Sequence, residues 1–100
     1  MDDLTKIIST LEQRGPVVEA HFYEAQGPAT WDQLMRAAFA HISGEDGNSY
    51  YYHVLERCGC HPEEAMSQSK VDAYETARKL LIQSPKSRAE MDALLEKSGL

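Results

Sequence analysis

From Thr30 to Cys60 the chain reads TWDQLMRAAFAHISGEDGNSYYYHVLERCGC. Trp31, Leu34, Met35, Ala38, Phe39 and Ile42 recur at the spacing of one helical face, the strongest periodic signal in the sequence. Thr30 and Gln33 precede and open that face as a capping box, in which each side chain satisfies the other residue's free backbone N–H. Gly44-Glu45-Asp46-Gly47-Asn48 is a loop by composition. Asn48 or Ser49 then caps a second helix, whose inward stripe is Tyr51, Val54, Leu55 and Cys58 and whose stop is Gly59. The spacing predicts a helix pair over about 31–43 and 49–58, with flanking helices packed around it.

Those flanks carry their own punctuation. Leu4, Ile7, Ile8 and Leu11 make one stripe, Asp2 and Asp3 suit a helix N-terminus, and Gly15 follows Arg14 as a left-handed stop. A first helix over about 3–14 follows. Residues 17–26, VVEAHFYEAQ, fit either a strand or a helix. The helix is favoured because Pro16 suits a first helical position and Gly27-Pro28 stops it; Val18, Phe22 and Ala25 then share a face with His21. His61-Pro62-Glu63-Glu64 opens a long helix over about 62–83, with a break conceivable at Ser67-Gln68-Ser69 and a restart at Ser69. Ser87 and Glu90 form a second capping box before a short helix lined by Met91, Leu94 and Leu95. The expected fold is all-α: one compact domain, residues 1–100, built as a bundle of five or six short helices.

Length and charge narrow the function. One hundred residues suit a single domain. No run of apolar residues is long enough for a membrane span, and MDDLTKIIST lacks the basic-then-apolar pattern of a secretory signal. A cytoplasmic protein is the default expectation, and two cysteines separated by one residue fit a reducing compartment. The net charge of −6 is uneven. Residues 1–64 hold eleven acidic against four basic side chains, whereas residues 65–100 hold five against six. The front two-thirds would repel phosphate backbones, so a protein partner with a basic surface is the simpler expectation.

Candidate chemistry is sparse. His53, Cys58, Cys60 and His61 can each bind metal, but His53 and Cys58 point about 140° apart on a helix. Counted from Asp46, a calcium loop would need glycine at the sixth position and glutamate at the twelfth; the chain has Tyr51 and Arg57. No catalytic motif is recognisable, and Glu63 and Glu64, being adjacent, complement a helix dipole rather than form an acid–base couple. No catalytic residue, metal site or cofactor is expected.

The surface feature of interest is Tyr50-Tyr51-Tyr52. Three consecutive helical residues span about 200° of the wheel, too wide for one narrow buried face. With Tyr51 inward, Tyr50 aligns with His53 and Arg57, and Tyr52 with Glu56. Exposed tyrosines beside Glu45 and Asp46 have the composition of an interface, since tyrosine combines large contact area with a polar tip. The expected partner-binding residues are Glu45, Asp46, Tyr50, Tyr52, His53 and Glu56. The competing expectation is that another helix covers one more of the tyrosines.

VVEAHFYEAQ, GPATWDQLMRAAF and NSYYYHVLERCG together, over roughly residues 16–59, resemble the three-helix core of bacterial helix-turn-helix regulators. The resemblance implies a helix-turn-helix-like core in which Ser49, Tyr50, Tyr52 and His53 read the major groove. It also implies a regulator dimeric through the helix at 62–83. The acidic reading is preferred: a small regulatory or inhibitory protein acting by protein–protein contact. One specific version blocks a phosphate-binding groove on a nucleic-acid machine, as small acidic phage proteins of the anti-CRISPR type do.

Overall fold

The computed structural model describes residues 3–23, 30–61 and 65–100. Five α-helices follow in order: α1 (Asp3–Arg14), α2 (Trp31–Ser43), α3 (Gly47–Arg57), α4 (Gln68–Leu81) and α5 (Arg88–Lys97). Two 3-10 turns, Glu19–Tyr23 and Gly44–Asp46, lie between them, and there is no strand among the described residues. The radius of gyration, 12.4 Å, is close to the roughly 13 Å of a compact chain this long. The fold is all-α, and the five α-helices among the described residues are at the lower end of the expected number.

Local signals set the helix ends. The N–H of Gln33 donates to Thr30 Oγ1, and the N–H of Thr30 donates to Gln33 Oε1 at 3.1 Å, so the predicted capping box forms. A cap of this kind contributes about 1 kcal/mol. Gly15, at φ 77°, ends α1. At α5 the predicted box forms by half. Ser87 Oγ accepts from the Glu90 N–H, but the Glu90 carboxylate reaches back to the Lys86 N–H at 2.7 Å.

Three expectations change. Residues 17–23 are neither strand nor α-helix: Glu19–Tyr23 make a single 3-10 turn, and residues 24–29 lie outside the described residues. Val17 is buried while Val18 is exposed, and Phe22 packs, partly buried, against the core and edge-on to Tyr74. The cause is a tether. The Val17 N–H donates to Glu75 Oε2 at 2.7 Å, which pulls the segment onto α4 one residue early. The long helix begins at Gln68, capped by Ser67 accepting from the Lys70 N–H, not by Ser69. The proposed start at Pro62 falls outside the described residues. Third, α3 begins at Gly47 rather than Ser49, and Asn48 is no cap: its Oδ1 accepts from Arg36 on α2 at 3.3 Å.

The earlier start of α3 follows from how closely it meets α2. A Cβ placed on Gly47 would lie 2.8 Å from Ala40 Cα and 3.1 Å from Phe39 O. Only glycine lets the two backbones approach this far. Gly44, at φ 62°, turns the chain from one helix into the other. The core then closes over Trp31, Met35 and Phe39 of α2, Tyr51 and Val54 of α3, Leu81 of α4 and Met91 of α5.

A charged pair anchors α1. Arg78, buried on α4, donates to Leu11 O at 3.0 Å and to Glu12 O at 3.5 Å, satisfying carbonyls at the end of α1. Its third contact is Glu75 Oε1 at 3.0 Å, and the other oxygen of that carboxylate holds Val17. The pair thus joins α1, the following turn and α4.

Two substitutions test this account. Gly47→Ala should lower thermal stability by about 1–3 kcal/mol through overpacking, although alanine is intrinsically the better helix former by about 1 kcal/mol. A rise in melting temperature would show that the helices are not in backbone contact there. Arg78→Ala should cost about 3 kcal/mol, because it strands Glu75 and the α1 carbonyls; chemical denaturation measures it, and a change under about 0.5 kcal/mol would match an ordinary surface substitution instead.

Candidate interaction face

Helix α3 is pressed between its neighbours along one side, and the other side faces out. Tyr50, Tyr51, Val54 and Leu55 are buried. Ser49, Tyr52, His53 and Glu56 are exposed, at the spacing of one outward stripe. Glu45 and Asp46, on the 3-10 turn just before α3, are exposed as well. Five of the six residues expected from the sequence therefore share one end and face of the α2–α3 pair.

Tyr50 is the exception and must be corrected. It is only 2% exposed. Its hydroxyl donates to Asp92 Oδ1 at 2.6 Å and lies 3.3 Å from Arg88 O, both on α5. The Arg88 guanidinium sits 4.6 Å from the ring centre, and Phe39 meets the ring edge-on. Helix α5 has covered a second tyrosine, the competing expectation. A helical wheel for α3 alone cannot show this, because the width of its buried face depends on how many helices flank it. Burial and Asp92 both push the Tyr50 hydroxyl above its ordinary range, so it stays a donor at neutral pH.

Tyr52 is 37% exposed and is held rather than loose. Its hydroxyl accepts from Arg36 Nη2 at 3.0 Å, and the Arg36 guanidinium lies 5.1 Å from its ring centre. Arg36 in turn pairs with Asp32 Oδ2 at 2.7 Å. The Asp32 bond and then the Tyr52 bond raise the Arg36 pKa further, leaving a fixed cation. Asp32 Oδ1 accepts from two buried hydroxyls, Tyr51 at 3.0 Å and Tyr74 at 3.1 Å. Burial is the largest cause of the upward shift of both phenols, and Tyr74 is pushed up to about 12. This five-residue network, Asp32, Arg36, Tyr51, Tyr52 and Tyr74, was missed from sequence. Asp32 and Arg36 at i, i+4 were a signal for two of its members; nothing local points to Tyr74.

The carboxylates of the face are differently placed. Among the described residues the ion pairs are Asp32–Arg36 and Glu75–Arg78, so Glu45, Asp46 and Glu56 have none. Arg57, near the end of the same helix, donates instead to the Leu100 carbonyl. The face therefore presents uncompensated negative charge around one oriented aromatic ring.

The remaining reactive groups point elsewhere. Burial pushes the Cys58 thiol up to about 11, which disfavours the thiolate. Cys60 is buried, with its thiol donating to His61 O at 3.1 Å. Among the described residues no three His, Cys, Asp or Glu side chains are grouped to hold a metal, and no helix is long and apolar enough to cross a membrane. Helix α4, the expected dimerising helix, turns Val71, Tyr74, Ala77 and Leu81 to the core of its own chain. The chain matches no protein-family model, no curated protein and no solved structure.

The buried phenols make stability pH-dependent at the alkaline end. An unfolded tyrosine ionises near pH 10, whereas folded Tyr74 holds its proton to about pH 12, and Tyr50 and Tyr51 are raised too. Above about pH 10 the unfolded chain releases protons that the folded chain retains, so stability is full below that pH and falls as pH rises toward 12. Phenolate absorbance at 295 nm should show these three groups ionising together with unfolding. Their ionisation near pH 10 in a still-folded chain would contradict the burial described.

Proposed function

We propose that the chain is a non-enzymatic regulatory protein that works by docking the outward face of α3 and the preceding turn onto a basic surface of a partner protein. One observation carries the reading: Glu45, Asp46 and Glu56 are exposed and without cation partners among the described residues, around an exposed Tyr52 whose orientation Arg36 holds. Uncompensated rim charge steers encounter and sets specificity. A preset tyrosine supplies contact area at little entropic loss on binding.

The scaffold favours such use. The backbone contact at Gly47 and the Arg36 bridge to Asn48 and Tyr52 fix α3 on α2 before any partner arrives. A preformed face loses little order on docking. If the partner surface ordinarily holds phosphates, occupying it inhibits a nucleic-acid machine; this is the specific form of the proposal. Reading of DNA by α3 is less supported, because Tyr50 is committed to Asp92 and α5, and Glu45 and Asp46 would face the phosphates at the helix start.

Affinity capture from the source organism, with and without nuclease, followed by binding measurements on the recovered protein, tests the reading. The double reversal Glu45→Lys, Asp46→Lys should weaken binding about tenfold or more at low salt with an unchanged melting temperature, and raised salt should close the gap. Binding unaffected by the reversal, or capture that nuclease abolishes, would contradict it.

A further inference from the structure

A cleft of about 720 Å³ opens at the other end of α1 from its Arg78 anchor, between the start of α1, the end of α2 and the α4–α5 connection. Its size falls in the range of small-molecule sites, about 300–1,000 Å³. The apolar wall is Leu4 and Ile8, one turn apart on α1. Asp3 supplies a carboxylate, Lys86 an ammonium and His41 an imidazole. None of these three side chains has a hydrogen-bond or ion-pair partner among the described residues. Three charged side chains elsewhere in the fold, Asp32, Arg78 and Asp92, are each paired. Here opposite charges line one cleft and leave each other alone.

Ser84, another lining residue, adds an independent observation. It sits at φ 64°, the left-handed region, at the turn that ends α4, where its N–H donates to Leu81 O. Among the described residues the other left-handed positions are glycines: Gly15, Gly44, Gly59 and Gly99. A side chain there costs about 1 kcal/mol. Among the described left-handed residues, Ser84 is the one that lines the cleft.

We infer that this cleft binds a small zwitterion with an aliphatic body, of the chemical class of a free α-amino acid with a branched aliphatic side chain. Asp3 receives the ammonium, Lys86 and His41 receive the carboxylate, and the side chain lies on Leu4 and Ile8. A simple anion would leave Asp3 opposing it, and a simple cation would face Lys86. Only a ligand carrying both charges satisfies both groups, and only one with an apolar body covers the wall. The site is separate from the face of α3, and the inference stands or falls independently of the docking proposal.

Titration of the ¹⁵N-labelled full chain with L-leucine, 4-methylpentanoate and 3-methylbutylamine tests it. These three probes share a branched body and differ in charge. L-leucine should shift the amides of Leu4, Ile8, His41 and Lys86 saturably, and neither singly charged probe should match it. Asp3→Asn and Lys86→Met, both at exposed positions whose spectra report that the fold is kept, should each weaken L-leucine binding about tenfold. Absence of saturable shifts with L-leucine, equal binding of the acid or the amine, or unchanged affinity in both variants would overturn the inference.

Discussion

The Asp32 carboxylate is the point through which three helices hold one another. It projects from the first turn of α2, where negative charge is favoured by the helix dipole. One oxygen accepts from Tyr51 of α3 and Tyr74 of α4, and the other binds Arg36. Each phenol has its ring in the core and its hydroxyl on the charge, so apolar burial and charge-assisted hydrogen bonding act on the same side chain. The Asp32–Arg36 ion pair is about one-third exposed at each partner, and taken alone it is worth well under about 1 kcal/mol. Its importance lies in orientation. It aims the guanidinium at Asn48 and Tyr52 and so carries the internal network out to the surface of α3.

A second polar joint complements the first. Glu75 and Arg78 satisfy each other and three backbone groups of the α1 end and its following turn. Between them the two joints give α4 a partner at α1, α2 and α3. Removing one member of such a buried set leaves the others unpaired, which costs more than the set contributes when whole. With these joints inward, two of the places left with unpaired charge are the acidic face of α3 and the mixed cleft at the start of α1. The two proposals divide these places, a macromolecular partner for the mainly acidic face and a small ligand for the cleft, which carries both signs.

Much of the fold was legible because local chemistry decides local ends. Thr30 with Gln33 set the start of α2, and Gly15 the end of α1, without help from distant residues. The errors arose where a distant residue decides. Val17 rather than Val18 turns inward because Glu75, 58 residues away, takes its N–H. Tyr50 is buried because α5 lies over it, and Ser67 rather than Ser69 caps α4. Gly47 looked like a loop glycine, yet its missing side chain is what lets α3 begin there. Of the candidate face, Glu45, Asp46, Tyr52, His53 and Glu56 were legible as exposed positions. The Arg36 contact that orients Tyr52 was not, since it crosses from one helix to the next.

The central claim is that one carboxylate couples α2, α3 and α4, and a mutant cycle tests it most directly. Asp32→Ala, the double substitution Tyr51→Phe with Tyr74→Phe, and all three changes together would be compared by chemical denaturation. The account predicts strong non-additivity: once the phenol hydroxyls are gone, deleting Asp32 should cost at least about 1 kcal/mol less than it does in the native chain. Costs that simply add would mean that the hydroxyls and the carboxylate stabilise the fold separately, and the coupling described here would be absent.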